Sequence, residues 1–300
     1  FLGRINYQRR SYTEAMQWYQ KAAVKGSTNA MVGIGELYLY GQGVVQDDTQ
    51  AMQWYQKAAD KGNSNGMVGV GRFYEYGRGG VTQDYAQARQ WYQKAADKGN
   101  RDAMQRIGIL YSYGRGVQQD NAKAEEWFEK ADATDKTGEM ASEIGDNIDQ
   151  SSPLAMQWYQ KAADKGNADA MTNIAVLYFA GSGVLQNNIE AEEWFEKADA
   201  TDKTGKVAFQ NGALIIQIQQ KGHYTLAMKW FQKAIDKGNN AGMSAIGWMY
   251  ENGMGVEKNI NTAIEWYRKA AAKGNQAAKD NLKRLGVRSE ERRVGKERRS

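Results

Sequence analysis

The chain has 300 residues, 41% hydrophobic and 25% charged, with one proline and no cysteine. Without cysteine, disulfides, thiolate metal sites and cysteine nucleophiles are excluded, and no apolar run approaches the roughly 18 residues of a membrane span, so a soluble chain is expected. Of the formal charge of +5, the last thirteen residues, Arg288 to Ser300, supply +3; the remainder mixes acids and bases and lacks the basic stripe that nucleic-acid phosphates require.

Eight of the nine tryptophans fall at a near-constant interval: Trp18, Trp54, Trp91, Trp127, Trp158, Trp194, Trp230 and Trp266, spaced 36, 37, 36, 31, 36, 36 and 36 residues apart. Each is followed by a tyrosine or phenylalanine. Self-similarity at this period marks a repeat architecture. Stacked copies build a core lengthwise and present a long surface whose default use is to hold a partner.

In chain order, residues 1–28 read as a partial N-terminal repeat. The first full unit opens with AMVGIGELYLY, where Ala30, Ile34 and Leu37, with Tyr38 and Gly41 alongside, follow the spacing of one helical face. A glycine-punctuated loop, GQGVVQD, leads to Asp47 at a helix N-cap position, matched by Asp84, Asp120, Asn187 and Asn259 in other copies. The second helix, AMQWYQKAADKG, places Ala51, Trp54, Tyr55, Ala58 and Ala59 on one stripe and stops at Gly62. The tryptophan is expected to fill the gap between helices, burying ~150–250 Å² in each copy. Gly33/Gly35 and Gly69/Gly71 lie inside helices, as close-packing glycines rather than a nucleotide loop.

Seven copies are expected at 29–64, 65–101, 102–137, 138–168, 169–204, 205–240 and 241–276, forming one solenoid domain over 29–276. Repeat 4 is short and carries GDNIDQSSP in place of the loop; repeat 6 carries IIQIQQKGHY there. The string EEWFEKADATDKTG recurs identically at 125–138 and 192–205, which implies duplication of a two-repeat block. Residues 277–287 read as a C-terminal capping helix. The tail 288–300, RSEERRVGKERRS, leaves the pattern and reads as a disordered or artefactual end rather than a basic interaction arm.

Little in the chain suggests catalysis. The only histidine, His223, has neither cysteines for a structural zinc site nor an evident serine partner. Serine acyl-transfer motifs and a phosphate-binding glycine loop are absent. The clusters Glu125, Glu126, Glu129 and Glu192, Glu193, Glu196 repeat on an outer helical face, as solvated charge. A non-enzyme without cofactor or metal is expected.

Copies such as AMQRIGILYSYGRGVQQDNAKAEEWFEKAD and AGMSAIGWMYENGMGVEKNINTAIEWYRKAAAKG resemble the Sel-one-like repeat, a tetratricopeptide-related unit, over residues 12–285. The resemblance implies an all-α, right-handed superhelical solenoid that serves as a scaffold or adaptor, in a family that is mostly bacterial. A disulfide-reinforced subset was linked to β-lactam binding; its paired cysteines are missing here. A small-ligand or cell-wall- or β-lactam-related envelope protein is the alternative reading, and a subunit of a larger assembly a third.

In such arrays the first helix of each pair usually lines the concave face, so its positions outside the core stripe are the informative ones. The framework residues are nearly fixed while these vary. The candidate contacts are Glu36, Tyr40, Arg72, Tyr76, Ile109, Tyr113, Val176, Phe179, Trp248 and Glu251, with Trp248, the off-register tryptophan, and the tyrosine row as aromatic anchors. The expected partner is a protein or extended peptide, not nucleic acid. The chain itself is expected to be a monomer. Its compartment, cytoplasmic or bacterial periplasmic or secreted, stays open, because it starts inside what reads as a damaged repeat.

Overall fold

A computed structural model of the chain describes residues 12–218 and 223–287. The start of the expected partial repeat (1–11), part of the replaced loop of repeat 6 (219–222) and the tail (288–300) lie outside the described residues. Those described form sixteen α-helices and no strand. They gather into two compact units divided between Lys136 and Thr137.

The first unit holds α1 (Tyr12–Val24), α2 (Thr28–Tyr40), α3 (Asp48–Asp60), α4 (Ser64–Tyr76), α5 (Tyr85–Ala96), α6 (Arg101–Tyr113) and α7 (Asn121–Asp132). The second holds α8 (Glu139–Asn147), α9 (Pro153–Asp164), α10 (Ala168–Ala180), α11 (Asn188–Ala200), α12 (Lys206–Gln217), α13 (Tyr224–Asp236), α14 (Ala241–Asn252), α15 (Ile260–Ala272) and α16 (Gln276–Arg284). Within each unit every helix packs chiefly on its chain neighbours, as a stack of helix pairs must.

Local chemistry sets the ends. The carboxylates and amides of Asp47, Asp84, Asp120, Asn187 and Asn259 accept from backbone N–H groups in the first turn of the second helices, the caps expected from sequence. Asn63 and Asn100 cap α4 and α6 in the same way. Their amide groups also donate back into the preceding pair, Asn63 to Asn29 at 2.9 Å and Asn100 to Asn65 at 2.8 Å. One residue thus starts a helix and ties it to the previous repeat. First helices end on left-handed glycines such as Gly77, φ 63°, a conformation that costs other residues free energy. In the divergent repeats the caps change: α8 and α12 start after left-handed Gly138 and Gly205. Asp202 accepts from Thr204 Oγ1 and from the Val207 N–H at the head of α12, and these bonds hold its carboxyl down at about 2.

The core differs from the sequence expectation in one respect. In most copies the ring after the tryptophan, rather than the tryptophan itself, sits between the helices. Tyr55, Tyr92, Phe128, Tyr159, Phe195, Phe231 and Tyr267 are all buried. Trp158 and Trp230 are buried too, but Trp18 is 40% exposed and Trp54, Trp91, Trp127, Trp194 and Trp266 are half-buried. The reason is helical geometry: one residue is about 100° of rotation, so only one of two adjacent rings can point straight at the facing helix. The tryptophan takes the flank, where the lysine three residues later lies over it in every copy, from Lys197 at 3.9 Å to Lys21 at 4.8 Å from the ring centroid.

The buried rings lie on bare backbone. A Cβ added to Gly71 would stand 2.5 Å from Tyr92 Cε1, and one added to Gly69 would stand 2.5 Å from Tyr55 Cδ1. Tyr55 is flanked by Gly35 of α2 and Gly69 of α4, so one ring closes three helices together. The in-helix glycines are packing surfaces, as read from sequence.

This geometry predicts unequal costs for neighbouring truncations. Tyr92→Ala should lower the unfolding free energy by about 3–5 kcal/mol, and Trp91→Ala by about 1–2 kcal/mol. Urea denaturation of the two variants measures the difference.

Candidate functional site

On the first helices of each pair, the residues outside the core stripe fall into columns with different fates. The leading column is largely closed: Val68, Gln105, Thr172 and Ser244 are buried and Val32 is half-buried. The trailing column also turns inward, with Glu75 and Phe179 buried and Leu39, Ser112 and Glu251 half-buried. Open to solvent are Arg72 and Tyr76, one turn apart on α4, with Tyr40 on α2, Tyr113 on α6 and Trp248 on α14. Tyr40 is 56% exposed, Tyr76 53% and Trp248 39%.

In the first unit, α2 and α4 enclose a groove of about 380 Å³ that brings Glu36, Tyr40, Arg72 and Tyr76 together over Val32, Leu39, Val68 and Phe73. Ile109, half-buried, and Tyr113 lie on α6 of the same unit and do not line this groove; Arg115 stacks over the Tyr113 ring at 4.8 Å. Val176 is half-buried on α10, in the second unit.

Two candidates are committed elsewhere. Phe179 is fully buried, its ring centroid 6.2 Å from that of Phe195 and 4.4 Å from that of His223, so it is core and not an accessible contact. Its column faces the neighbouring helix, and an apolar side chain there is drawn into the core. Glu251 accepts from Tyr267 Oη at 2.7 Å and pairs with Arg284 of α16 at 2.7 Å. Burial pushes its carboxyl pKa up, but the bonds from Arg284 and Tyr267 outweigh this and leave it below the usual carboxylate range. Its role is to latch the last helix.

His223 occupies the N-cap position of α13 without a capping bond from its side chain, its Nε2 3.3 Å from Asn188 Nδ2. Among the described residues, no three His, Asp or Glu side chains converge in a way that could hold a metal ion.

Sequence reasoning missed a buried network beside the groove. Tyr92 Oη donates to Glu75 Oε2 at 2.5 Å, Arg106 Nη1 reaches the same oxygen at 3.2 Å, and Arg106 Nε donates to Asp102 at 3.1 Å. The guanidinium also lies 5.8 Å from the Tyr92 centroid. Burial and the Glu75 charge, opposed by Arg106, push the Tyr92 hydroxyl pKa well up, so it stays a donor. A signal existed: fourteen residues after the ring, where Gly33 follows Tyr19 and Gly69 follows Tyr55, Tyr92 is followed by Arg106. The guanidinium takes the place of bare backbone against the ring.

Removing Arg106 would leave the Glu75 carboxylate buried beside a single donor. Arg106→Ala should therefore cost about 3–5 kcal/mol, and adding Glu75→Gln should recover much of that loss. Chemical denaturation of the single and double variants checks both.

The Sel1 repeat pattern matches residues 1–27, 28–63, 64–100, 101–131, 133–167, 168–198, 206–239 and 240–275. A component of an ERAD-associated E3 ubiquitin-protein ligase from Arabidopsis thaliana, HRD3B, is 29% identical over 106 residues, which are 34% of this chain and 16% of that protein. The chain thus aligns with well under two thirds of that relative. Among solved structures, c5321, a protective antigen of uropathogenic Escherichia coli with an SLR fold, is 31% identical, with 91% of this chain and 60% of that one covered and a TM-score of 0.49. A Sel1 repeat protein from Oxalobacter formigenes is 25% identical, with 90% and 98% covered and a TM-score of 0.47. Sel1 repeat proteins generally mediate protein–protein interactions. No described helix is long and apolar enough to cross a membrane. With its repeats matched over nearly the whole length, the chain belongs to the Sel1 repeat family.

Proposed function

We propose that the chain is a non-catalytic interaction module that holds a protein or extended peptide on exposed positions of the first helices within a unit. One observation carries the reading: a near-invariant packed frame presents a different side chain at the same position of α2, α4, α6, α10 and α14, exposed at Arg72 and Trp248 and half-buried at Glu36, Ile109 and Val176. Frame residues answer to packing; side chains at open positions are free to answer to a partner. Large aromatic rings left half in water, as at Tyr40, Tyr76 and Trp248, are the side chains that anchor protein interfaces, because they bury much area for little lost side-chain freedom. The small-ligand alternative has less support, since Tyr92, Glu75 and Arg106 beside the groove are spent on one another.

The test is quantitative recovery of a bound protein by wild type, by Trp248→Ala and by the quadruple Arg72, Tyr76, Ile109, Tyr113→Ala variant, with helicity verified by circular dichroism. A partner retained by wild type and reduced about 10-fold or more by a variant is the expected result. Equal recovery by all three would remove these positions as binding contacts.

A further inference from the structure

The groove between α2 and α4 presents one arginine that no carboxylate among the described residues pairs with, and this side chain selects the occupant. Four charged side chains line it: Glu36, Arg72, Arg78 and Asp102. Three are engaged. Arg78 forms a two-pronged pair with Asp48, at 2.8 and 3.0 Å. Asp102 accepts from Arg106, and Glu36 has an interaction of its own. Arg72 is exposed, and among the described residues no carboxylate pairs with it.

The setting of this guanidinium is unusual for a surface arginine. One turn ahead on α4 stands the half-exposed Tyr76 ring, and one turn behind stands Val68; Leu39 and Tyr40 approach from α2. A partner lying across these rings would displace water from Arg72, and an arginine–carboxylate pair gains strength and geometric definition when solvent is excluded. The apolar floor asks for a bulky side chain beside the acid.

Resting on the interaction-module reading, we infer that this groove takes an extended peptide segment with an internal acidic side chain two residues from a large apolar one. The acid meets Arg72 and the apolar side chain fills the floor formed by Val68, Leu39 and Phe73. The spacing follows from geometry. Arg72 and Val68 are four helical residues apart, about 6 Å along the axis at 1.5 Å per residue. In an extended chain, residues i and i+2 share a face about 6.6 Å apart. A phosphate-rich strand is a poorer match, because among the described lining residues one unpaired cation neutralises one charge and the neighbouring guanidiniums of Arg78 and Arg106 are already paired.

The test is fluorescence anisotropy of the full chain with labelled decapeptides, acetylated and amidated, bearing Leu-Ser-Glu or Glu-Ser-Leu in a Gly/Ser host. Controls replace Glu by Gln or by Lys, replace Leu by Ala, or carry Gln with a free C-terminal carboxylate. An acidic peptide should bind about 10-fold or more tightly than its Gln counterpart. Arg72→Gln should erase that preference, and Arg72→Glu should turn it toward the Lys peptide. Arg72 is exposed, so both variants should keep wild-type helicity. Equal binding of Glu and Gln peptides, or a preference unmoved by Arg72→Gln, overturns the inference. If those peptides are nevertheless lost on Tyr76→Ala, the interaction-module reading survives. Tightest binding by the free-carboxylate peptide reassigns Arg72 to a chain terminus and overturns the internal-acid inference. Binding of no peptide up to millimolar concentration overturns both readings.

Discussion

An aromatic ring laid on bare helical backbone is the contact on which everything else in this protein depends. Each second helix offers one ring, each first helix opposite it offers a glycine or alanine, and the two helices approach until the ring fills the space. A methyl group at Gly71 or Gly69 would occupy the volume the ring already holds. Close-packed interiors have no slack to absorb such an overlap. The repeat length follows, because ring and glycine must recur in register for each pair to lock on the next.

That division of labour frees the remaining surface. The core stripe of a first helix faces its partner, the leading and trailing columns lean into neighbouring helices, and the last position of each helix stays open, with Arg72 and Trp248 exposed one turn before it. Where a polar group is drawn inward it is satisfied by a network, as Glu75 is by Tyr92 and Arg106, and Glu251 by Tyr267 and Arg284. These networks secure the groove wall and the last helix without consuming the open positions. Binding specificity can therefore change at Arg72 or Tyr76 with little effect on the frame.

Much of this was legible in the sequence because it is local. An Asp or Asn three residues before a capped N–H, or a glycine ending a helix, is read within one turn of chain. The candidates Glu36, Tyr40, Arg72 and Tyr76 sit at i, i+4 spacing on adjacent helices, and the fold brings them into one groove. What could not be read depends on rotation between helices. Trp91 and Tyr92 both lie on the apolar stripe, and only the direction of the facing helix decides which is central. Phe179 lies outside the core stripe by sequence spacing and shares its column with Glu75 and Glu251, and all three are drawn inward by the neighbouring helix. The Glu75–Tyr92 bond spans seventeen residues and the Arg106 contact thirty-one, beyond any local pattern.

The central claim, that ring and glycine act as one unit, is tested most directly by a double-mutant cycle on Gly212 and Phe231. A Cβ at position 212 would lie 2.7 Å from Phe231 Cε1. In an unobstructed helix, glycine to alanine stabilises by about 1 kcal/mol. Here Gly212→Ala should instead destabilise by about 1–3 kcal/mol, and in a Phe231→Leu background most of that loss should vanish, giving a coupling energy above about 1 kcal/mol. Effects that add within about 0.5 kcal/mol, or a Gly212→Ala variant more stable than wild type, would contradict the account.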